Sequence, residues 1–208
     1  IIPKSVLDIP KFGAINIHPS LLPKYRGASP IQNAILNGDK TSGVSIMLMD
    51  EKMDHGDLIA TKEIELSEED NFSTLSIKMF QEAATLFDSI LPDFLSGKLT
   101  PKPQNHDLAT FTKLIKKDDS YFDIQNTPLP EVLNKMIRAY YPWPNAWTKW
   151  NNKIVKFYPA RIALARNASS TDASGSQSVA GEPGYLIQIE GKKPTALKEF
   201  LKGYPDFP

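Results

Sequence analysis

The sequence predicts an α/β fold in two domains, and three observations support this prediction. The first part of the chain alternates short apolar runs with helical periodicity, which is typical of strands and helices that share one core. A proline-containing stretch with little periodicity then interrupts the pattern, as a linker does. A second helical segment and a β-hairpin pattern follow. We therefore assign residues 1–99 to the first domain, residues 100–118 to the linker and residues 119–208 to the second domain.

The composition excludes several classes of protein. The chain has 208 residues, of which 41% are hydrophobic and none is cysteine. It can therefore bury a core, whereas a disulfide framework and a thiolate metal site are excluded, which fits a cytoplasmic protein. No apolar run approaches the roughly 20 residues of a membrane span. The chain begins at Ile1 without a signal-peptide pattern, so we expect a fragment or a processed piece.

The elements of the first domain follow from periodicity and from end signals. Pro19 ends the first strand because it lacks the N–H that a ladder needs. Ser29 and Gly38 are suitable residues for the start and the end of a short helix. Pro92 is expected to kink or shorten the long helix that Gly97 ends. The predicted elements are a strand ending at His18, a helix over 28–38, strands over 43–49 and 59–66, and a helix over 72–95.

The second domain is predicted to combine helices with a small β-structure. Thr127 caps a helix that has Pro128 in its first turn. Asn151-Asn152 is a two-residue turn of residues that tolerate positive φ, which predicts a hairpin. Residues 167–181 are rich in Ser, Ala and Gly and predict a mobile or disordered insert. The remaining elements are strands over 146–150, 153–157 and 185–190, and a last helix capped by Thr195 that runs through Leu201.

Three polar residues could form a catalytic group. Asn16 and His18 lie two apart on a strand and therefore point to the same face. Asp54 lies in the loop after a later strand, and all three converge if the two strands are parallel neighbours. Such a trio suits acyl transfer to an amine. An amide and an imidazolium stabilise the tetrahedral oxyanion, while a carboxylate orients the imidazole and helps to move protons.

Two other interpretations of these residues stay open. A histidine beside a proline is more often structural, and an aspartate in a loop with glycine is more often a turn former. A metal site is a further alternative, although no helix-borne histidine pair or other ligand spacing supports it. Its ligands would come from His18, Asp50, Asp54, His55 and Asp57.

The charge of the chain is unevenly distributed. Residues 1–99 carry 9 Lys and Arg against 14 Asp and Glu, whereas residues 100–208 carry 15 against 10. A basic half interleaved with aromatic residues can bind nucleic acid through phosphate contacts and stacking. The alternative is a solvated surface around a small β-barrel whose core holds most of the aromatics. The residues are Lys113, Lys116, Lys117, Lys135, Arg138, Lys149, Lys153, Lys156, Lys192, Lys193, Tyr140, Tyr141, Trp143, Trp147 and Trp150.

Several motifs resemble those of a known family, the 10-formyltetrahydrofolate-dependent formyltransferases. The stretch His18-Pro19-Ser20-Leu21-Leu22-Pro23-Lys24-Tyr25-Arg26-Gly27, two residues after Asn16, is similar to the family signature. The stretch from Gly43-Val44-Ser45-Ile46 to Met53-Asp54-His55-Gly56-Asp57 resembles its second catalytic segment. Three further motifs are similar to the family members that act on methionyl-tRNA. They are Arg26–Gln32, Ile137-Arg138-Ala139 with Pro142-Trp143-Pro144, and Glu190–Pro194 up to Phe200–Tyr204.

This resemblance implies a reaction, a fold and a set of site residues. The reaction would move a formyl group from 10-formyltetrahydrofolate to the α-amino group of methionine on initiator tRNA, in translation initiation. Asn16, His18 and Asp54 match the catalytic positions. The fold would be the C-terminal part of a Rossmann-like domain followed by an OB-like β-barrel, in a monomer without metal. Implied folate contacts are Ser20, Leu21, Leu22, Pro23, Met53, Asp54, Gly56 and Asp57, and implied tRNA contacts are Arg26, Lys113, Lys116, Lys117, Lys135 and Arg138.

The chain departs from the family pattern at two places. It starts after the first strands and helices of the Rossmann-like sheet. It also has the single stretch Tyr185–Glu190 where relatives have more barrel strands, so either residues are missing or the barrel is open.

Two other functions remain as alternatives: formyl transfer to a sugar-nucleotide amine, and tRNA binding without catalysis. The ending Glu190-Gly191-Lys192-Lys193-Pro194 favours the tRNA enzyme over the sugar enzyme.

Overall fold

The computed structural model describes residues 2–160 and 185–208. Two compact units are present, Ile1–Ile115 and Lys116–Pro208. No helix of the described residues is long and apolar enough to cross a membrane.

The described residues of the first unit form three α-helices, five strands and a short 3-10 helix over His106–Leu108. The helices are α1 (Lys4–Leu7), α2 (Pro30–Asn37) and α3 (Phe72–Leu95), and the strands are β1 (Ile15–His18), β2 (Arg26–Gly27), β3 (Thr41–Leu48), β4 (Leu58–Glu65) and β5 (Phe111–Thr112). The main sheet has the order β1-β3-β4. The predicted helices and strands before residue 96 are confirmed, with bounds shifted by a few residues.

The strand directions correct one premise of the sequence analysis. β1 and β3 are antiparallel rather than parallel, with Ile15 opposite Leu48 and His18 opposite Ser45. β3 and β4 are antiparallel as well. The loop after β3, residues 49–57, therefore starts at the end of the β1–β3 pair that lies away from His18. A short apolar run specifies a buried strand and not its direction, so the sequence could not decide this point.

The helix signals of the first unit act largely as predicted. Gly38 has φ +70 and ends α2 in the left-handed conformation that favours glycine. Asn71 begins α3 with a capping box, in which its side chain accepts from two backbone N–H groups and Thr74 returns a bond. Pro92 lies inside α3, which continues to Leu95, so it does not end the helix. Leu75, Met79 and Ala83 are completely buried along one face of α3.

Most of the segment predicted as a linker belongs to the first unit. β5 pairs in parallel with β2, placing Phe111 beside Arg26. Lys102 exchanges two backbone hydrogen bonds of 2.8 Å with Leu58, at the start of β4. Residues 100–115 therefore fold onto the elements that carry the predicted site.

In its described residues, the second unit has a four-stranded antiparallel sheet in the order β6-β7-β8-β9. Its strands are β6 (Ala146–Trp150), β7 (Lys153–Pro159), β8 (Tyr185–Ile189) and β9 (Thr195–Ala196), and its α-helices are α4 (Pro130–Ala139) and α5 (Leu197–Gly203). Asn151 and Asn152 have φ +47 and +59, which confirms the predicted hairpin turn. The predicted insert over 167–181 lies outside the described residues.

Two predicted helix starts are wrong. α4 begins at Pro130, because the Thr127 hydroxyl donates to the carbonyl of Ile124 instead of capping the helix. Thr195 lies in β9, opposite Ile187, and α5 starts after it. At Thr127 a local bond to the carbonyl three residues earlier replaces the capping bond, whereas at Thr195 the pairing with β8 does so.

The core of the second unit packs one face of the β6–β8 sheet against α4 and α5. Its buried residues are Phe122, Ile124, Leu133, Ile137, Ala146, Val155, Phe157, Ile187, Ile189, Phe200 and Phe207. Tyr140, Tyr141 and Trp147 are also buried, whereas Trp143 is 60% exposed. Most of these aromatics are therefore part of the core, as expected.

Candidate functional site

The loop after β1, residues 19–27, is anchored to β3 by one buried serine. Ser45 Oγ donates to the carbonyl of Ser20 at 2.7 Å and accepts from the N–H of Leu22 at 3.0 Å. Ser20 Oγ in turn donates to the carbonyl of Lys24 at 2.6 Å. We call residues 19–27 the signature loop. Its backbone is held by side chains of the protein, Ser45 on β3 and Ser20 in the loop itself.

His18 lies at the base of this loop and is 4% exposed. Its Nε2 is 2.9 Å from the carbonyl oxygen of Tyr25. Because a carbonyl can only accept, we assign the proton of the neutral ring to Nε2. The other nitrogen, Nδ1, faces Asp54 Oδ1 at 3.7 Å. Nδ1 is therefore the nitrogen that is available for chemistry.

Asp54 is held in an uncommon backbone conformation. Its φ is +48, and its Oδ2 accepts the N–H of Gly27 at 2.6 Å. Oδ1 is the oxygen that faces His18. The loop over residues 49–57, which we call the Asp54 loop, thus returns along β1 and brings the carboxylate to His18. The predicted meeting of His18 and Asp54 is present, although the parallel strands invoked for it are not.

Asn16 lies on the same face of β1 as His18, two residues earlier, and is half-buried. In the sheet it stands opposite Met47. Its amide therefore lies on the face from which His18 approaches Asp54.

Arg26 is buried despite its charge. It is 3% exposed, and its Nε and Nη2 donate to Gln104 Oε1 at 3.2 and 2.6 Å. Nη2 also lies 2.8 Å from Nδ1 of His106. Burial lowers the pKa of Arg26, while Asp54 and Asp50 act in the opposite direction. The guanidinium is directed into the protein, where Gln104 and His106 are its partners, and the tRNA contact of Arg26 stays a prediction.

Residues 104–112 hold the signature loop from the other side, and the sequence analysis missed them. Thr110 Oγ1 accepts the N–H of Tyr25 at 2.8 Å, and the Thr110 carbonyl accepts the N–H of Arg26 at 2.8 Å. Thr112 Oγ1 donates to the carbonyl of Arg26 at 3.1 Å and accepts the N–H of Ser29 at 3.0 Å. These contacts join residues more than 80 positions apart, and no local pattern in this proline-containing segment predicts them.

Two histidine rings stack beside this network. His55 and His106 lie 3.9 Å apart at an angle of 8°, and His55 Nδ1 is 2.5 Å from Asp50 Oδ2. Loss of hydration lowers the pKa of His106, and the charges of His55 and Arg26 lower it further. Within residues 2–160 and 185–208, no group of three His, Asp or Glu side chains is arranged to hold a metal ion.

Comparison with known proteins identifies the family. Profiles for "Formyl transferase" and "Formyl transferase, C-terminal domain" match residues 1–91 and 114–205. A methionyl-tRNA formyltransferase from Thermodesulfovibrio yellowstonii is 40% identical over 98% of this chain and 67% of its own length. One from Roseiflexus sp. is 39% identical over 98% of this chain and 65% of its own length. The chain belongs to the methionyl-tRNA formyltransferase family. It spans about two thirds of the length of these relatives.

Solved structures of formyltransferases share the fold. A 4-N formyltransferase from Francisella tularensis superposes with a TM-score of 0.63 at 26% identity, covering 73% of this chain and 62% of that one. Methionyl-tRNA formyltransferase from Clostridium thermocellum gives a TM-score of 0.60 at 21% identity, covering 94% and 74%. HypX from Aquifex aeolicus, solved with tetrahydrofolic acid, gives a TM-score of 0.63 at 17% identity, covering 92% of this chain and 35% of that one. The family is one of formyl, or one-carbon, transferases.

The residues that the family resemblance assigns to the folate differ in accessibility. Met53 is 54% exposed and Asp57 is exposed, whereas Ser20 and Leu22 are buried. Leu21 and Pro23 are half-buried.

Gly56 is buried for a reason within the chain. A Cβ on it would lie 1.9 Å from the carbonyl oxygen of Leu48. The space beside this glycine is therefore occupied by the protein's own backbone.

The cations assigned to tRNA lie at the surface or partly buried. Lys113, Lys116 and Lys117 are exposed, and Lys135 and Arg138 are half-buried on α4. Lys117 Nζ lies 5.3 Å from the ring centre of Trp147. Two aspartates, Asp118 and Asp119, follow directly in sequence and reduce the net charge of this stretch.

Proposed function

We propose that this protein transfers the formyl group of 10-formyltetrahydrofolate to the α-amino group of methionyl initiator tRNA. The observation that carries the proposal is the facing pair of His18 Nδ1 and Asp54 Oδ1 at 3.7 Å, on the strand face that also bears Asn16. The names of the relatives support the substrate. The chain spans about two thirds of those relatives, and the activity of the whole protein is part of the proposal.

The proposal gives one role to each member of the trio. The amine attacks the formyl carbon, a new C–N bond forms, and the carbonyl oxygen becomes an oxyanion. The Asn16 amide and a protonated His18 Nδ1–H stabilise that oxygen. Asp54 Oδ1 takes the proton of the attacking amine, directly or through water. The bond from the formyl carbon to N10 of the folate then breaks, and N10 receives the proton, leaving an N-formyl amine and tetrahydrofolate.

The hydrogen bonds that His18 and Asp54 make to the signature loop support this division of roles. Nε2 of His18 and Oδ2 of Asp54 are occupied by the backbone of the signature loop. Each residue therefore presents one free atom, and the two free atoms face each other. Side chains held in this way need little rearrangement to meet a developing charge.

The folate and the tRNA are placed on different parts of the chain. We propose that the folate lies along the Asp54 loop, with exposed Met53 and Asp57 as its contacts and with Leu21 and Pro23 opposite. A folate-analogue complex whose pterin ring lies far from residues 53–57 would contradict this placement. We propose that the tRNA backbone is drawn to Lys113, Lys116, Lys117, Lys135 and Arg138.

We also propose three further properties. The four antiparallel strands of the second unit support an OB-like barrel there. The family assignment supports a monomer. A tRNA substrate used in translation initiation supports a cytoplasmic location.

The test is a formyl-transfer assay on the purified protein. 10-Formyltetrahydrofolate would be offered with methionyl initiator tRNA or with an amino-sugar nucleotide, which is the alternative substrate. We expect formylmethionine on the tRNA and no formylated sugar. Formylation of the sugar alone would contradict the proposed substrate. Binding of tRNA without any transfer would indicate the noncatalytic alternative.

A further inference from the structure

Gln104 uses its whole hydrogen-bonding capacity at one point of the site. Its Nε2 donates to the carbonyl oxygens of Asp54 and Gly56 at 3.0 and 2.7 Å. Its Oε1 accepts from Nε and Nη2 of Arg26 at 3.2 and 2.6 Å. The residue is 5% exposed. Two donors and two acceptor positions are all that an amide offers, so its orientation is fixed by these contacts.

These bonds tie together the two loops that meet at the catalytic carboxylate. Asp54 and Gly56 belong to the Asp54 loop, and Arg26 precedes Gly27 in the signature loop. The loops touch through the bond from Gly27 N–H to Asp54 Oδ2, at 2.6 Å. Gln104 therefore holds the backbone of the Asp54 loop on one side of that bond and the side chain of Arg26, the residue before Gly27, on the other.

The backbone conformation of Asp54 requires support from its surroundings, and the hydrogen bonds of Gln104, which we call the clamp, supply it. A φ of +48 is uncommon for a residue with a side chain and persists where the surroundings hold it. The carboxylate must at the same time keep Oδ1 facing His18 at 3.7 Å. Displacements of about 1 Å in a catalytic geometry can cost on the order of 100-fold in rate.

We propose that Gln104 is a positioning residue that sets the Asp54 carboxylate against His18 for the formyl transfer proposed above. It acts through the backbone of the Asp54 loop and touches no reacting atom. Arg26 orients the amide by occupying its oxygen, so that both N–H groups point at the two carbonyls. This role rests on the proposed function, while the clamp itself is testable without it.

The diagnostic substitution is Gln104→Glu. A carboxylate keeps an acceptor for Arg26 but places an oxygen against the carbonyls of Asp54 and Gly56, where glutamine has two donors. Gln81→Glu, at an exposed position on α3 in the same unit, is the matched control because it introduces the same charge. We expect kcat to fall about 10- to 100-fold in Gln104→Glu, with the KM for the folate changed by less than about threefold, and no change in Gln81→Glu.

The same substitution made in an Asp54→Asn variant distinguishes a positioning role of Gln104 from a general loss of structure. In Asp54→Asn, whose backbone carbonyl is unchanged, Gln104→Glu should cost less than about threefold in kcat, because residues that act as a unit are non-additive. An equal loss in both backgrounds would overturn the proposal. A loss confined to KM would overturn it as well.

Hydrogen exchange provides a readout that needs no activity. The Gly27 amide should exchange at least about tenfold faster in Gln104→Glu than in Gln81→Glu, because its acceptor Asp54 Oδ2 is no longer held in place. Unchanged exchange at Gly27 would overturn the proposal. If the parent transfers no formyl group, the proposed function fails, and this measurement still decides the role of Gln104. Should Gln104→Glu not fold, Gln104→Met, which is similar in length and lacks both polar groups, replaces it with the same expectations.

Discussion

The two polar regions of this chain hold their side chains in different ways. Around the proposed reaction centre, His18, Arg26 and Gln104 are each at most 5% exposed and make defined hydrogen bonds. On the basic stretch, Lys116 and Lys117 are exposed and are followed by two aspartates. Formyl transfer requires atoms at fixed distances, whereas attraction of a polyanion requires only charge at the surface. A single substitution should therefore matter far more in the first region than in the second.

The largest effect is expected from His18→Ala. Loss of one charge stabiliser and proton carrier typically costs about 100-fold or more in rate. We expect kcat to fall by at least that factor while circular dichroism stays unchanged. Near-normal turnover by a folded variant would contradict a catalytic role for His18. It would also contradict the expectation that substitutions matter more in the first region than in the second.

Gly56→Ala should show how tightly the Asp54 loop is packed. The new Cβ would lie 1.9 Å from the Leu48 carbonyl oxygen, a backbone atom that cannot move aside cheaply. We expect a loss of about 1–3 kcal/mol in the free energy of unfolding, measured by denaturant titration. Gly203→Ala is the control, since nothing lies within 4 Å of its added Cβ. Equal stability of the two variants would contradict the packing described here.

Neutralising Lys116 and Lys117 together tests the second region. Each phosphate contact releases counterions, so the double Gln variant should flatten the salt dependence of log affinity for tRNA by about one to two units. Folate affinity should not change. The same charge change at Lys11 and Lys62, exposed lysines of the first unit, serves as the control. An unaltered salt slope would mean that these lysines only solvate the surface.

The smallest effect concerns the pH dependence of stability. The pKa of His106 lies below its ordinary value of 6.5, because the ring loses hydration and faces the charges of His55 and Arg26. The folded state then binds fewer protons than the unfolded state, and stability is lost as pH falls below about 6.5. His106→Gln, which retains an acceptor for Arg26, should lose less stability between pH 7.5 and 5 than the parent. Parallel thermal-unfolding curves for the two proteins would contradict this.

Local signals predicted the elements whose causes are local. Gly38 after α2 and Asn151-Asn152 between β6 and β7 adopt the positive φ that their sequence favours. Asn16 and His18 share a face because alternation along a strand is a local property. These features required no knowledge of distant residues.

The remainder of the site depends on pairings between distant segments. Gln104 contacts the carbonyl of Asp54, 50 positions earlier, and no periodicity or motif in residues 100–118 marks it. The antiparallel direction of β1 and β3 is likewise a tertiary property. Arg26, for which the family resemblance implies a tRNA contact, is buried because the distant residues Gln104 and His106 supply its partners.

The most direct test of the account is a double-mutant cycle on His18 and Asp54. The rate of formyl transfer to methionyl initiator tRNA would be measured for His18→Ala, Asp54→Asn and the double variant, each folded by circular dichroism. Because the two side chains face each other through their only free atoms, we expect the double variant to be about as slow as the slower single variant. Independent losses that multiply, to about 10,000-fold if each single loss is about 100-fold, would contradict the claim that the two residues act as a pair.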